Sequence, residues 1–122
     1  MVTEHKEGLI VVLDPNFKII SRVKSMGDDP CHLSIDNTGN YLVATNYTSG
    51  STIICKLTNH VPSLVHSFIT HEGSSNHPER QTSPHPHSTV FSECNTILFL
   101  ADLGTDWIHY YNFSADSIAW DQ

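Results

Sequence analysis

Cys31-His32-Leu33-Ser34-Ile35-Asp36-Asn37-Thr38-Gly39-Asn40-Tyr41-Leu42-Val43-Ala44-Thr45-Asn46 reads as strand, turn, strand. Its apolar runs are short and rich in β-branched and aromatic residues, and the residues between them, Asp36 to Asn40, are turn formers. Two further strands, Ser51 to Leu57 and Leu64 to Thr70, follow the turns Tyr47-Thr48-Ser49-Gly50 and Thr58-Asn59-His60. Four consecutive antiparallel strands make a meander. No window of the chain sustains the i, i+3, i+4, i+7 pattern of a helix, so the fold class expected is all-β.

The same pattern returns downstream. Ser88 to Phe91, Thr96 to Ala101 and Trp107 to Phe113 match the first three strands of the meander. Asp102 lies 56 residues after Asn46 and Phe113 lies 56 after Leu57, whereas His87 lies 55 after His32, which suggests one inserted residue at the first turn. Four-strand repeats of ~40–50 residues are the mark of a β-propeller, and the long segment His71 to Pro86 accounts for the excess. Upstream, Gly8 to Leu13, the turn Asp14-Pro15-Asn16 and Phe17 to Val23 read as a hairpin. The expected division is a half-blade over 8–23, a complete blade over 30–70, a long site loop over 71–86 and most of a further blade over 87–122, an incomplete segment of a propeller. Since a closed propeller needs ~4–8 blades, such a segment is expected to leave strand edges unpaired and to self-associate through them.

Composition narrows the function classes. The chain has 122 residues, 6 Lys+Arg against 13 Asp+Glu and a formal net charge of −7, with no basic cluster. That balance repels phosphate backbones and anionic lipid, so neither a nucleic-acid nor a membrane partner is expected. The apolar run Leu9 to Leu13 is far shorter than the ~20 residues of a membrane helix. The acidic start, Met1-Val2-Thr3-Glu4, does not resemble a secretory leader, and a cytoplasmic location is expected. Cys31, Cys55 and Cys94 are odd in number and widely spaced, which suits reduced, partly buried thiols.

The chemistry-bearing stretch is His71-Glu72-Gly73-Ser74-Ser75-Asn76-His77-Pro78-Glu79-Arg80-Gln81-Thr82-Ser83-Pro84-His85-Pro86-His87-Ser88. Arg80 offers a bidentate guanidinium fork for an anion, or forms a surface ion pair with Glu79 or Glu72. His32 and His87 begin inner strands, where an imidazole either takes a proton from water or fixes the blade entrance by hydrogen bonding. His85, fenced by Pro84 and Pro86, is a second base candidate or a substrate contact. Glu79 is placed to orient an imidazole. His85 and His87 with His77 or His71 are geometrically able to surround zinc, but no cysteine lies close and no metal is expected. Asn46 and Asp102 read as turn caps, and Trp107, Tyr110, Tyr111 and Phe113 as core between blades.

With Pro30-Cys31-His32-Leu33-Ser34-Ile35-Asp36, Ala44-Thr45-Asn46-Tyr47 and Ala101-Asp102-Leu103-Gly104-Thr105-Asp106, this stretch resembles the lactonase family of seven-bladed β-propellers. The family includes bacterial propeller-type 6-phosphogluconolactonases and is related to fungal carboxymuconate-lactonising enzymes. The chain departs from the family's Ser-Pro-Asp-Gly turn at Ser92-Glu93-Cys94-Asn95 and is much shorter than a whole member. The resemblance implies hydrolysis of a sugar lactone of the pentose phosphate pathway, without a cofactor, by the complete propeller, with the segment alone inactive. On this reading His87, His85 and Glu79 are catalytic, and Arg80 and His32 bind substrate. The alternative is a non-catalytic propeller module that binds a protein or small ligand at its rim, or an inactive truncated product.

Overall fold

The computed structural model describes residues 1–4 and 7–114, with 118 and 119 as backbone only. Its described residues form three antiparallel sheets and no helix, hence no helix long and apolar enough to cross a membrane. The first sheet contains β1 (Val2–Glu4), β2 (Leu9–Leu13) and β3 (Ile19–Lys24) in that order. The second is the meander β4 (Pro30–Ile35), β5 (Tyr41–Asn46), β6 (Ser51–Thr58) and β7 (Val61–Thr70). The third is β8 (Pro86–Phe91), β9 (Ile97–Asp102), β10 (Trp107–Phe113) and β11 (Ile118–Ala119). The all-β expectation holds. Strands β1 and β11 were not anticipated, because three and two residues are too few to show a period.

Alternation along the middle sheet explains how three sheets share a core. Tyr41 and Val43 of β5 and Ile54 of β6 point to one side, where they pack with Phe91, Leu98, Leu100, Tyr111 and Phe113 of the third sheet. Leu42 and Ala44 of β5, with Ile53, Cys55 and Leu57 of β6, point to the other side and pack with Ile10 of the first. A strand covered on both faces needs a near-continuous apolar run, which Tyr41-Leu42-Val43-Ala44 supplies. On the outer sheets Ile20, Trp107, Ile108 and Tyr110 remain exposed.

The registers correct the expected insertion. Pro30 opposes Asn46 and His32 opposes Thr45 in the second sheet, while Pro86 opposes Asp102 and Ser88 opposes Ala101 in the third. The offset is therefore 56 throughout, so His32 corresponds to Ser88 and His87 to Cys31. A bulge follows both prolines, which is why matching the histidines by eye slipped the repeat by one residue. Phe17, expected to open a strand, instead sits in the turn with φ 63° and donates its N–H to the Asp14 carbonyl. Cys94 is exposed, against the expectation of partly buried thiols, while Cys31 is half-buried and Cys55 buried.

The first turn of each meander uses one design with different atoms. Asp36 is buried; its carboxylate accepts from the backbone N–H groups of Thr38, Asn40 and Tyr41, from the Thr38 hydroxyl and from the Asn95 side-chain amide. In the third sheet the Ser92 hydroxyl takes Asp36's place, accepting from the Thr96 and Ile97 N–H groups, and Asn95 with φ 60° replaces Gly39 with φ 73°. Burial alone pushes the Asp36 carboxyl up, but the bonds from Thr38, Tyr41 and Asn95 together outweigh it and hold it below the ordinary carboxylate value. A depressed folded value means the ionised carboxylate stabilises the fold above the unfolded value of ~3.9, and that this contribution is lost as pH falls through the folded value. Asp36→Asn should thus cost about 1–3 kcal/mol at neutral pH, with the deficit shrinking as urea melts are repeated toward acid. A deficit independent of pH would show that ionisation of Asp36 carries no stability.

Candidate functional site

The long loop is braced before it delivers its imidazoles. The Ser75 N–H donates to the Gln81 carbonyl, the Gln81 N–H to the His77 carbonyl, and the Gln81 side-chain amide to the Leu103 carbonyl at 2.9 Å. The His77 ring accepts at Nδ1 from the Glu79 and Arg80 N–H groups, both at 3.3 Å. Where the loop enters β8, the His85 N–H donates to Asp102 Oδ1 at 2.8 Å and the Leu103 N–H donates back to the His85 carbonyl. Proline on either side of His85 leaves its amide as the local donor, and Asp102 uses it.

The His85 ring is held on two sides. It stacks on Tyr47 with ring centroids 4.4 Å apart and planes 9° from parallel, and its Nδ1 lies 3.0 Å from the Tyr47 carbonyl. A carbonyl only accepts, so Nδ1 carries the proton and Nε2 of the neutral ring keeps its lone pair. Among the described residues Nε2 has no hydrogen-bond partner. His87 meets the same Tyr47 edge-on at 5.9 Å and is exposed. It lines a cavity of about 390 Å³ with Ser88, Asp102, Leu103 and Trp107.

His32 leans across from β4 to β8, where its Nδ1 accepts from the Thr89 N–H at 3.3 Å. Burial, and then the neighbouring His87, lower its pKa. Beside it the Cys31 thiol, with one proton to donate, lies within reach of the Thr45, Pro86 and His87 carbonyls, and the Ser34 and Thr89 hydroxyls bond at 2.6 Å. Tyr47 therefore gathers His85 and His87, and His32 borders them from the neighbouring strand.

Glu79 and Arg80 stand apart on the exposed loop. Among the described residues no hydrogen bond or ion pair joins Glu79 to either imidazole, or Arg80 to Glu79 or Glu72. Arg80 instead lines a small cavity of about 110 Å³ with His77, Gln81 and Leu103, and Leu103 also lines the cavity at His87. Sequence reasoning missed Tyr47, which it placed in a turn, and missed the second use of Asp102. That carboxylate does cap its turn, through the Gly104 and Thr105 N–H groups, but the same Oδ1 also anchors His85.

A model of the family described as Lactonase, 7-bladed beta-propeller, matches residues 7–120. The chain belongs to that family. It is 34% identical over 104 residues to a 6-phosphogluconolactonase of Formosa agariphila, a match covering 84% of this chain and 29% of the relative. A 6-phosphogluconolactonase of Bacillus subtilis is 32% identical over 87 residues, covering 70% and 24%. Among solved structures, a candidate 6-phosphogluconolactonase of Bacteroides fragilis superposes with a TM-score of 0.80 at 28% identity, covering 94% of this chain and 34% of that one. The periplasmic gluconolactonase of Pseudomonas aeruginosa gives 0.77 at 31% identity, covering 87% and 31%. The chain thus spans less than a third of the length of the curated relatives it matches. The antiparallel sheets of the described residues are thus those of a partial propeller segment.

Proposed function

We propose that this segment supplies the imidazole-bearing wall of a sugar-lactone hydrolase site, of 6-phosphogluconolactonase type, which blades beyond these three complete. The division into a first partial blade, a complete blade over 30–70, a site loop over 71–86 and a further blade from 87 belongs to the same proposal. The observation that carries it is His85, whose Nδ1 is committed to the Tyr47 carbonyl so that the Nε2 lone pair is left for water. In the proposed reaction Nε2 takes a proton from water as the oxygen attacks the lactone carbonyl. The tetrahedral oxyanion collapses, the ring C–O bond breaks, and the imidazolium returns the proton to the departing alkoxide. The product is the open-chain aldonate. His87, on the same tyrosine, is placed to donate to substrate oxygen, and His32 supports the wall between the two blades.

Arg80 is assigned to the substrate's phosphate. Its guanidinium is exposed and unpaired among the described residues, and the cavity it lines shares the lining residue Leu103 with the His87 cavity. A charge-assisted bond of this kind is worth about 1.5–3 kcal/mol. In the complete protein Arg80→Ala should therefore raise KM for a phosphorylated lactone by roughly 10–100-fold. KM for the uncharged lactone should stay within about twofold, since no anion is then clamped. Steady-state kinetics on the two substrates decide it; equal effects on both would remove Arg80 from phosphate recognition.

A further inference from the structure

Asp102 ends β9 with its two carboxylate oxygens in different situations. Oδ1 accepts three backbone N–H groups, from His85, Gly104 and Thr105, whereas Oδ2 is buried and has no hydrogen-bond partner among the described residues. Asp102 is only 3% exposed, so a carboxylate oxygen is buried without a protein partner, an arrangement whose cost calls for one. Two other buried atoms nearby on the chain are also without partners, Nε2 of His109 on β10 and the Thr105 hydroxyl. One ligand atom each from His71, Asp102 and His109 lies within 4.8 Å of the others. We propose that His71, Asp102 and His109 bind one divalent cation of the zinc class, at the junction of the second and third sheets.

The donor set selects the ion. Two imidazoles and one carboxylate suit Zn²⁺, Co²⁺ or Ni²⁺, whereas Ca²⁺ and Mg²⁺ require oxygen-rich sets. Ligands of a tetrahedral ion at ~2.0–2.2 Å stand ~3.3–3.6 Å apart, so the trio closes on an ion by side-chain movements of about an ångström. The outer partners are also present. Thr52, fully buried, lies 2.9 Å from His71 Nε2 and can accept its proton, which leaves Nδ1 for the metal in place of its long 3.4 Å contact with the Tyr111 hydroxyl. His109 is stacked between Trp107 and Tyr111, which fixes its plane. His109 also lines a cavity of about 350 Å³ with Glu72, Gly73, Trp107 and Tyr111, which offers the ion a route in.

Sequence spacing hides this trio: the histidines weighed as zinc ligands, and set aside, were His85 and His87 with His77 or His71, whereas among the described residues only the His71, Asp102 and His109 group gathers. The site stands independently of the lactonase reading. The test is titration of the chelator-stripped 122-residue chain with Zn²⁺ and with Co²⁺, followed by calorimetry and visible absorption. One equivalent should bind, and Co²⁺ should give the intense bands of a low-symmetry four-coordinate ion. His71→Ala and His109→Ala should each weaken Zn²⁺ binding by more than about 100-fold, and Thr52→Ala by about 10-fold, since loss of a ligand exceeds loss of its outer partner. His109→Gln serves if the alanine variant does not fold, and His60→Ala, in the turn after β6, should bind as the parent does. A parent chain that binds no Zn²⁺, or a Co²⁺ spectrum like that of the free aquo ion, overturns the proposal. So does binding undiminished in both histidine variants, which would leave the Asp102 oxygen to an ordinary buried water.

Discussion

In the complete propeller, His85→Ala should lower kcat for sugar-lactone hydrolysis by roughly 10²–10⁴-fold, the usual loss when a general base is removed, while KM changes only a few-fold. The argument is geometric. Of His85 and His87, only His85 has a ring nitrogen engaged by a fixed acceptor among the described residues, and that engagement settles which nitrogen is free. Stacking on Tyr47 and the amide bond to Asp102 hold the ring and the backbone beneath it, so Nε2 is presented without a search among rotamers. His87 has the edge contact with Tyr47 but no hydrogen bond to its ring nitrogens among the described residues, and His87→Ala should cost less than His85→Ala. Tyr47→Ala should act on kcat through His85, as a positioning effect, and the double variant with His85→Ala should be no worse than His85→Ala alone. Turnover of His85→Ala within about twofold of the parent, with the fold intact by circular dichroism, would assign water activation to another group.

What the amino-acid order disclosed and what it hid divide along contact range. The meander over 30–70 is local: turn formers at Asp36 to Asn40 between short apolar runs specify it, and the structure follows them. Burial of both faces of Tyr41 to Ala44 is also written in the run itself. Register is harder to read, because a bulge after Pro30 and another after Pro86 absorb one residue each, and histidine identity pointed to the wrong match. The proline-stiffened loop stood out as a candidate site, yet the residue that holds its His85, Tyr47, lies 38 residues upstream in a different sheet's turn. Nothing in a local window ties Tyr47 to His85. Asp102 was legible as a cap because its acceptor role toward Gly104 and Thr105 is local, whereas its bond to His85 and its unpartnered oxygen depend on how the loop packs.

Gly104→Ala should destabilise the chain by about 3 kcal/mol or more and, where the complete protein still folds, should lower kcat as severely as His85→Ala. A Cβ at this position would stand 1.9 Å from the Ser83 carbonyl oxygen, 2.7 Å from the His85 nitrogen and 2.9 Å from the Pro84 carbonyl carbon. All three are backbone atoms, so no rotamer change relieves the clash, and the loop must lift as a unit. Lifting it breaks the bond from the His85 N–H to Asp102 Oδ1, an oxygen that also holds the Gly104 N–H. A displacement of an ångström at the base of His85 is enough to remove Nε2 from its water, since catalytic placement tolerates far less. Gly39→Ala separates this crowding from ordinary backbone strain: nothing lies within 4 Å of its Cβ, and only its φ of 73° penalises a side chain. That penalty is about 1–2 kcal/mol, with kcat unchanged because the turn is remote from the loop. Thermal melts and kcat measured on both variants distinguish the two causes. Should Gly104→Ala melt and turn over like the parent, the loop would not be resting on Gly104, and the rigid placement of His85 would lose its structural basis.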